Sequence, residues 1–408
     1  MKYLPIIFRL GTSVLSFALI YIIPLLFDKT FSNKLLLVFA FFFPIAQVCR
    51  LGMDSIIVRE FSKYSQKDRR KFISIAMLST VIIFLLFMPF SYLLLMNYFT
   101  KIESSAILLM IFVYNLTISA SYSYLSLDEK LLYCIFNNFC FYLFSIFSCG
   151  LFYLMHGGEI YTYIGINVVV QFLIFYNIYS HERLSNVLVL INDSFDFIRK
   201  NLSSSLIFTT ITTIQILSAW ISQIMSVGWS GQEYISTFTI YQRTISLPIV
   251  FLSLVSAFYM SRFSLWDSSG QYDKIKNKYN IVSVKIFIFS LIYIFLFLFY
   301  GIDILKIYYE GHGFTFNNAL IISVGILISA ICGPSSAYLS MVGLENKLFY
   351  SVIFSFLVSL LTSNFAFFYY KDAVFSMCIS YVSYQVFFSL MTRVFVWKKI
   401  QSYSREIA

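Results

Sequence analysis

The sequence predicts an all-α integral membrane protein of 12 transmembrane helices in two six-helix bundles. Three observations predict it. Of 408 residues, 59% are hydrophobic and only 12% are charged, with a mean hydropathy of +0.81, whereas a soluble globular chain carries about 25% charged residues. Apolar runs long enough to cross a bilayer recur along the whole chain, since about 20 residues suffice. Lys and Arg alternate between successive connections, as the positive-inside rule requires.

The runs are 4–26, 34–52, 72–97, 104–126, 131–155, 160–180, 203–227, 234–259, 281–300, 316–342, 347–370 and 373–397. The first, preceded by Lys2, resembles a signal peptide in outline. It lacks a small-x-small cleavage site and Arg9 interrupts it, so it reads as an uncleaved first helix. The tightest breaks rest on Asp128, Glu129 and Lys130, on Glu345, Asn346 and Lys347, and on Lys371 and Asp372. The longest polar stretches, about 60–71, 181–202 and 261–280, are too short to fold alone. The predicted organisation is an N-terminal bundle over 1–180, a cytoplasmic linker over 181–202 and a C-terminal bundle over 203–408.

With these spans, 21 of the 29 Lys and Arg residues fall on one side. Seven lie between Arg50 and Lys71, and others include Arg183, Arg199, Lys200, Arg262 and Arg393. Lys29, Lys34, Lys101, Lys306 and Lys371 make 5 on the other side, and Arg9, Arg243 and Lys285 lie inside runs. The bias predicts both termini in the cytoplasm. The 19 acids fall in loops or near helix ends, so the charge inside the spans is cationic. Six cysteines, mostly within apolar runs and without a CxxC pair, argue against a disulfide frame or a metal site.

The halves resemble each other. Pro44 is followed by Phe61 and Ser62, and Pro248 by Phe263 and Ser264, at offsets of 204 and 202. YLSLDEKLLY from Tyr124 echoes YLSMVGLENKLFY from Tyr338. An even number of helices per half makes these parallel repeats.

The stretch Tyr234 to Arg262 organises the functional reading. Arg243 lies about nine residues in, roughly 13 Å at 1.5 Å per residue. A guanidinium at that depth costs several kcal/mol against lipid, so it faces protein or water. Thr239, Gln242, Ser246, Ser253 and Ser256 share its side of the helix, and Pro248 interrupts the ladder beyond it. Two readings stand: an arginine tying helices together, or an anion site in a membrane cavity.

The segment RLGMDSIIVRE from Arg50 to Glu60, the helix ending at Arg262, Gly333-Pro334 and the stretch Met341 to Lys347 together resemble one family. It is the polysaccharide-exporting branch of the multidrug/oligosaccharidyl-lipid/polysaccharide (MOP) exporter superfamily, and in kind the bacterial O-antigen flippases (Wzx-like). The resemblance covers essentially the whole chain and is specific for the superfamily more than for the substrate. It implies a V-shaped, MATE-like pair of bundles in the bacterial inner (cytoplasmic) membrane, working by alternating access. The implied cargo is an undecaprenyl-diphosphate-linked oligosaccharide moved from the cytoplasmic to the periplasmic leaflet. Membrane lipids, other polysaccharide-assembly proteins and a coupling ion, H+ or Na+, are the further partners it implies; nucleic acid and cofactors are not among them. Arg243 and Arg9 would each neutralise part of the diphosphate, and Lys285 would serve as an entrance charge or snorkel to headgroups. Arg50, Asp54, Arg59 and Glu60 would form an ion-pair gate at the cytoplasmic mouth, or a solvated loop. Gln215, Ser222, Gln242 and Thr239 would contact sugar, and Trp220 would stack on a sugar ring or face lipid.

Two rivals remain. A multidrug exporter of the same superfamily would usually want a buried carboxylate for a cationic drug. A membrane polysaccharide polymerase would usually carry catalytic residues in a large periplasmic loop, yet the longest on that side, about 301–315, holds only Asp303, Lys306, Glu310 and His312. With no phosphate-cradling Gly-rich loop, the sequence reads as a transporter that does not use ATP directly, not as an enzyme.

Overall fold

The computed structural model describes residues 4–52, 66–124, 132–133, 135–155, 158–182, 190–309 and 315–406. Among them every regular element is helical. The first helices are α1 (Leu4–Leu26), α2 (Lys29–Arg50), α3 (Gln66–Leu95), α4 (Lys101–Ser121), α5 (Cys140–Leu154), α6 (Ile160–Glu182) and α7 (Ile191–Ser218). Then come α8 (Ile221–Ser230), α9 (Ile235–Ile245), α10 (Leu247–Ser268), α11 (Tyr272–Leu296), α12 (Ile302–Tyr308) and α13 (Phe316–Cys332). The last are α14 (Ser335–Met341), α15 (Glu345–Tyr370) and α16 (Ala373–Glu406). Each of the 12 apolar runs overlaps helix. Among the described residues, 7 helices are long and apolar enough to cross a membrane, or 9 if each of two bent pairs is one span.

The chain divides into two compact units, Met1–Ile216 and Leu217–Ala408. Residues 191–202, expected as linker, are instead the start of α7. Their polar composition hid an amphipathic helix that docks on the first unit. Ser194 Oγ donates to Ile75 O at 3.3 Å, and Phe197 meets Phe72 edge-on at 5.6 Å.

Helix directions within each unit follow from side-chain pairs. In the first unit, Lys34–Glu103 and Phe42–Tyr114 make α2 and α4 parallel. Phe84–Phe112 and Thr80–Ser119 make α3 antiparallel to α4. Phe152–Tyr163 and Ser145–Asn167 make α5 antiparallel to α6. In the second unit, Thr244–Tyr293 and Phe251–Phe289 set α9 and α10 antiparallel to α11. Gly325–Val382 and Ser329–Gln385 make α13 and α16 parallel. Successive spans therefore reverse direction wherever these contacts test it.

Packing without water between helices relies on small and polar residues. On α15, Ser351, Ser355, Ser359 and Ser363 recur every four residues and are all buried. The Ser359 hydroxyl donates to Ser380 O on α16 at 2.8 Å. The first unit instead stacks aromatics, with Phe42 lying 5.3 Å from Phe141 at an interplanar angle of 7°.

Candidate functional site

The helix expected over 234–259 is broken at Ser246 into α9 and α10. Pro248 sits in the first turn of α10, where its missing N–H would be unsatisfied in any case. Arg243 is therefore in the last turn of α9, the end of a helix that favours a cation. It is half-buried, and its guanidinium lies over the ring of Trp220, 4.8 Å from the centroid. Trp220 is 4% exposed and stands in the turn before α8. A half-buried contact of this kind contributes about 1 kcal/mol. Trp220 is thus buried, its ring turned neither to lipid nor to a free sugar face.

Around Arg243 the helices supply neutral polar groups. Ser246 Oγ donates to Arg243 O at 3.0 Å. The buried Tyr381 side chain on α16 lies near Ser246, Gln242 and Gln385. Gln242 is 1% exposed, yet its Oε1 has no hydrogen-bond partner. An orphan buried acceptor is costly and marks a place where a hydroxyl, an amide or water can bind. The arrangement is one cation on an aromatic plate, ringed by amides and hydroxyls, at a break in a helix. Such a site suits phosphoryl oxygens and polyols.

The structure brings Arg243, Gln242 and Trp220 together and separates them from other predicted residues. Thr239 is fully buried; its hydroxyl donates to Ile235 O at 2.6 Å and accepts from Gln223 at 3.4 Å, tying α9 to α8. Gln223 in turn accepts from Ser222, at 2.8 Å. Gln215 is half-buried on α7 in the first unit. Lys285 is exposed on α11, on a face shared with the exposed apolar residues Ile281, Val284 and Ile288, a setting that suits snorkelling. The Arg9 side chain, Asp54, Arg59 and Glu60 lie outside the described residues. Tyr381 and Gln385 carry a signal in the sequence that the reading above does not use: polar residues recur at four-residue steps along Ser380, Tyr381, Tyr384, Gln385 and Ser389.

Arg50 is 7% exposed, so it is not part of a solvated loop. Its Nη2 donates to Gln47 Oε1 at 2.6 Å and its guanidinium lies 5.6 Å from the Tyr114 ring centroid. Gln47 Nε2 donates to Thr212 Oγ1 at 3.0 Å, linking α2 to α7. Glu103 was read from sequence as an acid at a helix end. It is one, in a capping box with Thr100, but it is also 2% exposed and bridged by Lys34 at 2.5 Å.

No protein-family model matches the chain, and no curated protein does. Solved structures do. An inward-facing multidrug resistance MATE family transporter of the MOP superfamily aligns over 100% of this chain and 96% of its own, at 13% identity and a TM-score of 0.60. The chain has the fold of MOP superfamily transporters. Within that fold, lipid II flippase MurJ in an inward closed conformation aligns over 98% of this chain and 90% of its own, at 17% identity and a TM-score of 0.61. A MOP superfamily transporter from Pyrococcus furiosus, described by the reverse polarity of its binding pocket, aligns over 98% and 94%, at 13% identity and a TM-score of 0.60. These likenesses establish the multi-span membrane fold.

Proposed function

We propose that this MOP-fold chain is a flippase. It moves an undecaprenyl-diphosphate-linked oligosaccharide repeat unit, of the O-antigen kind, from the cytoplasmic to the periplasmic leaflet by alternating access between two six-helix bundles. The observation that carries this reading is Arg243 on Trp220 at a helix break, with the orphan Gln242 acceptor beside it. A lipid diphosphate brings negative charge into a low dielectric, and a guanidinium meets phosphoryl oxygens two at a time. Gln242, Ser246, Tyr381 and Gln385 supply donors and acceptors for hydroxyl-rich cargo. Arg9 would add charge, and Arg50 with Asp54, Arg59 and Glu60 would gate the cytoplasmic mouth. The setting is the bacterial inner membrane, both termini cytoplasmic, with polysaccharide-assembly proteins and a coupling H+ or Na+ as further partners.

A multidrug exporter shares the fold and is the second reading. Among the described residues, Glu103 is the one carboxylate in the buried class, and Lys34 already matches its charge. That favours anionic over cationic cargo.

Arg243 decides between the readings. Arg243→Ala should cut polysaccharide export per folded molecule by roughly tenfold or more, the equivalent of one lost charge-assisted hydrogen bond. Arg243→Lys should retain part of it, because charge survives while the bidentate fork is lost. Near-normal export for Arg243→Ala, normalised to folded protein in the membrane, would rule out the anion-site role.

A further inference from the structure

A second arginine is built into the second unit at the opposite end of α16's polar row, and nothing in the transport reading uses it. Arg393 lies over the Tyr279 ring, 4.4 Å from its centroid, and 5.6 Å from that of Trp397. Its two hydrogen bonds are long: Nη1 donates to Cys332 O and Nη2 to Asn280 Oδ1, both at 3.4 Å. No carboxylate among the described residues bridges it. A guanidinium carries five N–H donors, so most of its capacity is unspent. Tyr279, which forms the plate beneath it, is locked in place by its hydroxyl on Cys332 O and Ser335.

Part of Arg393's role is structural. Cys332 ends α13, and a cation there meets the negative end of the helix. That accounts for one face of the guanidinium. On the other side Arg393 borders exposed residues of α11 and α16. Trp397 is 38% exposed, and Trp is enriched where a helix leaves the hydrocarbon. Lys276, one turn before Asn280 on α11, is exposed as well. α11 is antiparallel to α13, since Tyr279 meets Ser335 just beyond α13 while Ile286 packs with Ala330; α13 is parallel to α16, so α11 and α16 run in opposite directions. The turn carrying Lys276 therefore stands level with Trp397.

We propose that Arg393, Asn280, Lys276 and Trp397 form a binding site for the phosphate of an anionic phospholipid headgroup, on the outer seam between α11 and α16. Arg393 supplies the bidentate fork, Lys276 a point charge, Asn280 a neutral donor, and Trp397 the interfacial edge against the glycerol. The acyl chains run along the exposed apolar face of α11, where Val284 and Ile288 lie. The site belongs to the outer surface and needs no cargo.

The test uses the purified full chain in nanodiscs of phosphatidylcholine alone or of equal parts phosphatidylcholine and phosphatidylglycerol. Phosphatidylglycerol should raise the thermal unfolding midpoint of the wild type by several degrees. Arg393→Gln and Lys276→Gln should each lose at least half of that rise. Arg393→Gln also removes the α13 end contact and lowers the midpoint in both lipids; if it fails to fold, Lys276→Gln, which alters only an exposed side chain, carries the test. Native mass spectrometry should find fewer retained phosphatidylglycerol molecules on either variant. An equal rise in wild type and Lys276→Gln would overturn the proposal. So would inorganic phosphate reproducing the full rise in detergent, since the site would then select phosphate without a lipid.

Discussion

At the scale of single residues, backbone geometry and side-chain depth matter more than residue type. Gly333 ends α13 at φ 65°, and a Cβ there would run into Ser283 of α11. Gly270 has a similar φ of 67° with nothing within 4 Å of a Cβ. At Gly333 the clash adds to a ψ of −156°, a region essentially reserved for glycine. Gly270→Ala should lower stability by about 1 kcal/mol, from the left-handed backbone alone. Gly333→Ala should cost clearly more, because Ser283 and α11 must shift as well. Thermal unfolding of both variants in detergent is the check, and equal losses would show that α11 yields freely. Arg50 and Arg243 make the same point about depth. Sequence reads Arg50 as a gate residue or part of a solvated loop and Arg243 as an anion site or a tie between helices; in the structure each guanidinium lies against an aromatic ring. The ring partners, Tyr114 and Trp220, are distant in sequence from their arginines, so no spacing could have paired them.

At the scale of elements, the spans are read well and their interruptions less well. Pro248 announced the break near Arg243, though not that the helix restarts cleanly at Leu247. The 44° bend between α13 and α14 has Gly333 and Pro334 at its corner. The α15–α16 pair shows what small residues accomplish. Ser359 touches both the carbonyl and the hydroxyl of Ser380, at 2.8 and 3.0 Å. Ser359→Ala should cost about 1 kcal/mol, as an interhelical hydrogen bond in a membrane is worth about that. Ser359→Leu should cost a further 1–3 kcal/mol, because overpacking forces the helices apart. If unfolding measurements found Leu tolerated as well as Ala, close approach would not be what the serine row provides.

At the scale of the whole molecule, the predictions concern sidedness and cargo. Reporter fusions at Lys200 and Arg405 should read cytoplasmic, and one at Glu159 periplasmic, because the Lys and Arg bias assigns those sides. A periplasmic reading at Lys200 would require an odd number of spans before it and would sink the two-bundle organisation. Deleting the gene should stop surface polysaccharide while lipid-linked single units accumulate on the cytoplasmic leaflet. Units that instead reached the periplasmic side unpolymerised would point to a polymerase.

The sequence by itself determined that this is a multi-span helical membrane protein and where each apolar run lies. Hydrophobic length and charge alternation are local along the chain, so no folding is needed to read them. It also singled out Arg243, because a cation deep in an apolar run is anomalous wherever its neighbours fall. Only the tertiary structure decided which faces turn inward. Lys285 and Arg243 look alike as cations within apolar runs, yet one stands on an outer face and the other on Trp220. Residues 191–202 look like a linker, yet they are helix packed on α3. Tyr381, Gln385 and Arg393 gain their meaning from helices α9, α11 and α13, far away in sequence. Burial and partnership are set by packing between helices, and helical periodicity within any one of them does not say which neighbour fills which face.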